Sequence, residues 1–265
     1  MDADIPRGKQ ESIVYKRGDI WYQTYSGAVR SVCLETVERN RLRSRLGVVS
    51  IVELLRMLAL IETHPSVLIW SLYNEDWGAQ DIATNPDTRQ YIMEMYHSML
   101  IYHLQFLVVD NDGWQHVSHE GRLKSDILTA HLYTPDLERW KGMLDDLTAG
   151  KLTGVAAFPL VVGDPFFYRR QLPLIVSEWG GFGFPDYCGP KNDEERAVII
   201  KEFKEELRKR PLAGDVYTQA TNIEDEKNGL INFVTGTLKV PAGLLKTGGE
   251  NKFCVTLNGT SAIQA

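Results

Sequence analysis

From about residue 65 onward, short continuous apolar runs alternate with longer segments whose apolar residues recur at helical spacing. The apolar runs predict five strands: SVLIWSLYNE, FLVVDND, DILTAHLY, LPLIVSEWGG and GDVYTQATNI. The segments between them predict helices, most strongly TRQYIMEMYHSMLIYHL, LERWKGMLDDLTAG and EERAVIIKEFKEELRKR. Strands that are apolar on both faces and alternate with helices indicate a parallel sheet in an α/β protein.

Every predicted strand ends in polar or charged residues. In chain order these are Asn74 with Glu75, the run Asp110 to Asp112, His131, Glu178 and Gln219. Chemistry at the carboxyl ends of successive parallel strands is typical of the (β/α)8 or TIM barrel. The pattern therefore predicts a barrel of that type in which only five parallel strands can be identified.

The two ends of the chain have a different pattern. The first 45 residues are rich in β-branched and aromatic residues and predict strands and turns, while SIVELLRMLALIETH predicts a helix that ends before Pro65. The tail is rich in Gly and Thr, with one predicted strand at KFCVTL. We expect a β segment at 1–45 that is no independent domain, a partial catalytic barrel at 46–233 and an irregular tail at 234–265.

Composition and charge argue against several classes of partner and site. A net charge of −6 and a pI near 5.6 argue against a nucleic-acid or anionic-membrane partner. The three cysteines are far apart and predict neither a zinc site nor a disulfide framework, and we expect no cofactor. The N-terminus has no apolar signal region, and SIVELLRMLALI is too short and too charged to cross a membrane. These features predict a soluble protein, in the cytoplasm or in a compartment that the sequence does not assign.

Glu75 and Glu178 are the candidate catalytic pair. Each is a carboxylate that ends an apolar strand, and two such carboxylates are what glycoside hydrolysis requires: one protonates the leaving oxygen and the other attacks the anomeric carbon. A partly apolar surrounding also raises the pKa of an acid so that it keeps its proton near neutral pH. From spacing alone, solvated strand ends are an equally good interpretation.

The sequence around these residues resembles glycoside hydrolase family 2, which contains β-galactosidases, β-glucuronidases and β-mannosidases. HPSVLIWSLYNEDWG is similar to the acid/base strand of that family, and LPLIVSEWGGFG to its nucleophile strand. VDNDGWQHV with SDILTAHLY looks like barrel strands five and six, and DVYTQATNIEDEKNGL looks like strand eight. The motifs follow the family order across residues 60–231.

The resemblance implies roles for individual residues. Glu75 would be the general acid/base and Glu178 the nucleophile of a retaining mechanism. Asn74 would hydrogen-bond the sugar 2-hydroxyl, and His131 would contact the sugar or the nucleophile, with a buried structural histidine as the alternative. The carbohydrate substrate is thus the implied partner.

Four further residues have two interpretations each. Trp77, Trp114 and Trp179 are candidates for stacking against the apolar face of a sugar, and core packing is at least as good an explanation for each of them. Asp112 is a candidate sugar contact, but Asn-Asp-Gly is also a strong turn signal.

The resemblance also predicts an incomplete barrel. RGDIWYQTYSGAVRSVCLE resembles the end of the family's sugar-binding β-sandwich, yet only about twenty residues separate it from the acid/base strand. The family places an immunoglobulin-like domain and three barrel strands in that interval. Five strands alone leave open edges and an exposed interior, which a second copy of the chain could cover as a homo-oligomer. Impaired catalysis is expected, because the absent strands hold part of the sugar.

Three hypotheses follow. The first is a retaining hydrolase of terminal β-glycosidic bonds. The second is a catalytically impaired or inactive barrel that only binds carbohydrate. The third is a different, esterase-like hydrolase, which the absence of a GxSxG motif from the sequence disfavours.

Overall fold

The computed structural model describes the backbone of residues 14–17, 20–24 and 32–36, and most of the chain from residue 54 to residue 242. In that second part the described residues are 54, 56–60, 67–102, 106–154, 158–183, 189–223, 226–240 and 242. The predicted KFCVTL strand at 252–257 lies outside them.

The described part of the chain has strands first and then alternates strands with helices. The strands are β1 Val14–Arg17, β2 Ile20–Thr24, β3 Val32–Thr36, β4 Ile69–Ser71, β5 Leu107–Val109, β6 His116–His119, β7 Arg122–Leu123, β8 Leu128–Leu132, β9 Val161–Gly163, β10 Leu174–Gly180 and β11 Gly214–Thr218. The helices are α1 Pro86–Tyr102, α2 Leu137–Thr148 and α3 Asp193–Arg208. Residues 56–60 are also helical, within the helix predicted before Pro65.

The N-terminal strands form an antiparallel sheet in the order β1-β2-β3. Their register pairs Tyr15 with Tyr22 and Tyr22 with Leu34. The prediction of strands and turns in the first 45 residues agrees with this sheet. Whether residues 1–45 are a remnant of a sandwich stays a prediction.

Parallel strands carry the rest of the fold. β4 pairs with β5, and β10 lies between β8 and β11, all in parallel. Beyond the end of β5, the amide of His131 in β8 donates to the carbonyl of Gly113 at 3.1 Å, which places β5 beside β8. The strands therefore follow one another in the order β4, β5, β8, β10, β11, which is their order along the chain. The prediction of an α/β protein with parallel strands is confirmed.

The described strands do not form a closed barrel. Among them, β4 pairs only with β5, and β11 only with β10. The complete (β/α)8 barrel, and a second copy of the chain as its cover, stay predictions.

A small additional sheet was not foreseen from the sequence. It has the order β7-β6-β9, with β6 and β9 parallel. β6 reads HVSH and contains no continuous apolar run, whereas β9 lies at the end of the apolar stretch VAAFPLVV, which was not predicted to be a strand.

Two apolar clusters hold the helices against the strands. The first packs α1 on β4 and β5 through Trp70, Ile92 and Met95. The second packs α2 and α3 on β8, β10 and β11, with Trp140 stacked on Phe203 at a ring separation of 5.1 Å. All five residues of β8 are buried, as expected for a strand covered on both faces.

The helix starts are encoded locally. The side chain of Asp136 caps α2 by accepting from the amide of Arg139, and Asn192 caps α3 by accepting from the amide of Glu195. Pro86 opens α1, where a missing amide hydrogen costs nothing. Among the residues that the structure describes, no helix combines the length and the apolar character needed to cross a membrane.

Candidate active site

Four side chains from neighbouring strand ends meet at one edge of the parallel strands. Glu75 follows β4, Asp112 follows β5, His131 lies in β8 and Glu178 lies in β10. The pairing of neighbouring strands aligns these residues at the same edge. Asn74 is bridged to Asp112 just beyond the ends of β4 and β5, and His131 pairs with Glu178 across β8 and β10. Of the strand-end residues predicted from the apolar pattern, these four are brought together, whereas Asp110 contacts His116 and Gln219 contacts Glu226.

Gly113 allows the turn after β5 to pass directly beside His131. Its φ is +76°, and a Cβ built on it would lie 2.0 Å from Cδ2 of His131. Any side chain at this position would displace the imidazole. The turn is also held by the amide of Gly113, which donates to Oγ1 of Thr129 at 2.8 Å.

His131 is the centre of the group. Its side chain is fully buried, and its Nδ1 hydrogen-bonds Oε1 of Glu75 at 2.7 Å. Its Nε2 faces Oε1 of Glu178 at 3.7 Å and Oδ1 of Asp112 at 3.8 Å. One imidazole thus lies within reach of three carboxylates on three different strands.

Glu75 and Glu178 lie close together and both reach solvent. With His131 they form a group whose oxygen and nitrogen atoms lie within 4.8 Å of one another. The Glu75 side chain is 25% exposed and the Glu178 side chain 28%, so a substrate can reach both carboxyls. Asp112 is 14% exposed, and its Oδ1 accepts from Oγ of Ser177 at 2.6 Å.

Tyr133 is a member of the site that the sequence analysis missed. Its hydroxyl donates to Oε2 of Glu178, the oxygen that does not face His131. It lies two residues after His131, so the period-two alternation of an extended strand places both side chains on the same side. That spacing was a signal available in the sequence.

The pKa values of Glu178 and His131 both lie above their ordinary values. Burial and the negative charge of Glu75 raise the pKa of Glu178 to about 7, although the His131 charge and the Tyr133 hydrogen bond act in the opposite direction. Burial lowers the pKa of His131, but the nearby charge of Glu178 and the contacts with Asp112 and Glu75 outweigh it, and the pKa lies well above its ordinary value. Burial is thus the main cause of the shift at Glu178, and the neighbouring carboxylates are the cause of the shift at His131.

A buried clamp holds the backbone that carries Glu75. Glu75 and Asp76 both have left-handed φ angles, 50° and 58°. The Asp76 amide donates to Oδ1 of Asn111 at 3.2 Å, and Nδ2 of Asn111 donates back to Oδ1 of Asp76 at 2.5 Å. Because non-glycine residues rarely adopt this conformation, surrounding contacts must stabilise it. Asp76 was not singled out from the sequence, and Asn111 was named only as part of the run Asp110 to Asp112.

The three tryptophans that were candidates for sugar stacking differ in exposure and in contacts. Trp179 is fully buried, with its ring centroid 5.9 Å from that of Trp140 and its Nε1 donating to Asp215 at 2.9 Å. Of the two interpretations of Trp179, core packing fits its buried ring, which has no face open to a ligand. Trp77 is 51% exposed, and Trp114 packs on Phe158 with a centroid separation of 4.7 Å.

Asn74 and the loop acids have structural contacts of their own. Asn74 is half-buried, and its carbonyl accepts from the amide of Trp77 at 2.9 Å. The loop acids are Glu224 and Glu226 of the segment IEDEKNGL, which follows β11. Glu226 accepts from Nε2 of Gln219 at 2.7 Å, and Glu224 lies outside the described residues.

The fold is similar to that of solved β-glucuronidases. The enzyme of Dictyoglomus thermophilum matches with a TM-score of 0.52 over 76% of this chain and 35% of its own, at 16% sequence identity. A Bacteroides uniformis β-glucuronidase matches with a TM-score of 0.54 over 80% of this chain and 26% of its own, at 13% identity. An uncultured Clostridium β-glucuronidase matches with a TM-score of 0.51 over 75% of this chain and 35% of its own, at 14% identity.

These matches establish similarity of fold. The chain spans between 26% and 35% of the length of the three structures. No family model matches the sequence. No curated protein matches it either.

Proposed function

We propose that this chain is a glycoside hydrolase that cleaves terminal β-glycosidic bonds with retention of configuration. The observation that carries the proposal is the proximity of Glu75 and Glu178, whose nearest carboxylate oxygens lie within 4.8 Å. Retaining enzymes hold their two carboxyls about 5–5.5 Å apart, whereas inverting enzymes need about 6.5–9.5 Å to admit a water molecule between them. This proximity supports the retaining arrangement.

Glu178 is assigned the nucleophile and Glu75 the acid/base. In the first step Glu75 protonates the glycosidic oxygen while an oxygen of Glu178 attacks the anomeric carbon, which gives a glycosyl ester and releases the aglycone. In the second step Glu75 takes a proton from water, and that water attacks the anomeric carbon and frees Glu178. The resemblance of the surrounding motifs to glycoside hydrolase family 2 supports this assignment over the reverse.

The neighbouring groups fit these roles. Tyr133 donates a hydrogen bond to one oxygen of Glu178 and thereby orients the other toward the substrate. His131 hydrogen-bonds Glu75 and faces Glu178, so it fixes the two carboxyls relative to each other. Asn74 and Trp77 are proposed to contact the sugar or the aglycone, since they border Glu75 in the chain and are accessible.

The test is hydrolysis of a panel of aryl β-glycosides by the chain and by two variants. Glucuronide is the first sugar to try, because the solved structures of similar fold are β-glucuronidases; galactoside and mannoside follow. We expect Glu178→Gln to lower kcat by at least about a thousandfold. The matched control is Glu202→Gln, at an exposed position on α3, which should leave kcat unchanged. Equal activity of the two variants would contradict the proposal.

A further inference from the structure

His116 is a buried histidine that the catalytic steps above do not use. Its side chain and that of Asp110 are both fully buried, and its Nδ1 hydrogen-bonds Oδ1 of Asp110 at 2.6 Å. The other oxygen of Asp110 accepts from the amide of Val117 at 2.7 Å. A buried carboxylate is stable only when it is paired and hydrogen-bonded, so these contacts hold the carboxylate and the ring together. Asp110 therefore sets the orientation of the imidazole.

The second ring nitrogen of His116 faces Thr129 in β8. Nε2 lies 3.0 Å from the carbonyl oxygen of Thr129 and 3.2 Å from both its amide nitrogen and its hydroxyl oxygen. Burial lowers the pKa of His116, but the charge of Asp110 and the hydrogen bonds to Asp110 and to the Thr129 carbonyl outweigh it, and the pKa is raised. A protonated ring donates from both nitrogens. It thus joins Asp110, just after β5, to Thr129 in β8.

Thr129 holds the turn that approaches His131. Its Oγ1 accepts from the amide of Gly113 at 2.8 Å, and the carbonyl of Gly113 accepts from the amide of His131 at 3.1 Å. The turn passes so close to the imidazole that a Cβ on Gly113 would lie 2.0 Å from Cδ2 of His131. Because closely packed groups transmit displacements to one another, a shift of the Thr129 hydroxyl moves the turn and His131 with it.

The hydroxyl of Thr129 also acts on the carboxylate of Asp112. Burial raises the pKa of Asp112, but its contacts with His131 and with the hydroxyl of Thr129 are among those that hold the pKa below its ordinary value. When Nε2 of His116 carries a proton it cannot accept one from Thr129, so the hydroxyl proton is left for Asp112. The protonated ring thus favours the hydroxyl orientation that serves the site.

We propose that Asp110, His116 and Thr129 are positioning residues of the candidate active site. Together they hold the Gly113 turn, and the close approach of that turn fixes the imidazole of His131 between the two catalytic carboxyls. The effect on catalysis rests on the proposed glycosidase function. The coupling between the two histidines does not depend on it.

The first experiment measures that coupling by NMR of protein labelled with ¹⁵N-histidine. Ring ¹⁵N shifts report which nitrogen carries a proton, and spectra of His116→Gln and His131→Gln assign the signals. We expect His116 to lose a ring proton in Asp110→Asn at neutral pH. Thr129→Val removes the hydroxyl but keeps the shape of the side chain, and it should shift the ring signals of both histidines. An unshifted His131 in folded Thr129→Val would overturn the proposal.

The second experiment measures turnover of the best aryl glycoside. Thr129→Val should lower kcat by about 100-fold with KM little changed, because it misplaces the catalytic groups without touching the sugar. Thr129→Ser keeps the hydroxyl and should restore most of the loss. Asp110→Asn should lower kcat by about 10- to 100-fold. Circular dichroism verifies that each variant is folded, and normal kcat in folded Thr129→Val would overturn the proposal.

The matched control is Asp126, which precedes β8 at the end of that strand away from His131. Like Asp110, it accepts from a backbone amide, that of Val108 at 2.8 Å, and from a side chain, the Tyr96 hydroxyl at 2.7 Å. Asp126→Asn should lose stability in urea unfolding yet leave kcat and the His131 ring signals unchanged. Equal losses of kcat in Asp126→Asn and Asp110→Asn would overturn the proposal. Coupled ring signals without any glycoside turnover would refute the proposed function and leave the positioning of His131 standing.

Discussion

A Cβ atom on Gly113 would lie 2.0 Å from Cδ2 of His131. The imidazole of His131 can therefore occupy its position only because residue 113 is a glycine. The turn after β5 therefore sets the position of the imidazole, and the imidazole sets that of Glu75. The catalytic geometry proposed above depends on this one close approach.

Gly113→Ala should displace His131 and disable the site. Gly236→Ala is a matched control, because Gly236 also has a positive φ, +67°, but its Cβ would meet nothing within 4 Å. A left-handed alanine costs about 1–2 kcal/mol at either position. We expect Gly113→Ala to lose at least about 2 kcal/mol more in free energy of unfolding and most of its kcat/KM, as measured by urea unfolding and aryl glycoside hydrolysis. Equal effects at the two positions would show that the contact with His131 is unimportant.

The dependence of activity on pH follows from the raised pKa of Glu178. Its carboxylate must be ionised to attack, and burial together with the Glu75 charge raises its pKa to about 7. Below that pH the group is protonated, so kcat/KM should fall tenfold per pH unit as the pH drops below 7. The measurement is a pH profile of kcat/KM with a chelator present. An acidic limb near pH 4.5 would show that this shift is absent.

Tyr133→Phe should move that acidic limb to higher pH. The tyrosine hydrogen bond stabilises the ionised form of Glu178 and so lowers its pKa; without it the pKa rises further. We also expect kcat to fall by about 10- to 100-fold, because the carboxylate loses its orientation. Tyr96→Phe removes a comparable tyrosine–carboxylate hydrogen bond, to Asp126, away from the site, and should change neither quantity. A limb that stays in place in Tyr133→Phe would exclude this role for the tyrosine.

The acid/base role of Glu75 is tested with leaving groups. Dinitrophenyl glycosides need no protonation, whereas methyl and alkyl glycosides do. Glu75→Ala should therefore reduce the first step by less than about tenfold on dinitrophenyl substrates and by more than about a thousandfold on alkyl ones. Added azide should speed turnover of the activated substrate and give a glycosyl azide. A uniform loss across leaving groups would argue against Glu75 as the acid.

The sequence predicts the strand-end residues well because each parallel strand is a continuous apolar run that stops at a polar residue. Glu75, Asp112, His131 and Glu178 were all identified in this way, and the register of the ladder brings them together. For Trp179 the sequence left sugar stacking and core packing open, and its buried ring fits core packing. A tryptophan that follows a catalytic glutamate points to the other face of the strand, and here that face is the core beneath α2 and α3.

Other features depend on contacts that no local pattern encodes. The clamp between Asp76 and Asn111 joins residues 35 positions apart, and the central strand of the small β7-β6-β9 sheet, β6, has no continuous apolar run. The raised pKa of Glu178 likewise arises from burial and from the charges of Glu75 and Asp112, which follow two other strands. These features are tertiary, and only the folded chain brings their parts together.

Covalent trapping of the nucleophile tests the central claim most directly. A 2-deoxy-2-fluoro-β-glycoside with a dinitrophenolate leaving group forms the glycosyl ester quickly and hydrolyses it slowly, so the intermediate accumulates. Intact mass spectrometry followed by peptide mapping should find one sugar per chain, attached to Glu178, and no label in Glu178→Gln. Attachment of the sugar to Glu75, or turnover that gives the inverted anomer without any labelled protein, would contradict the account.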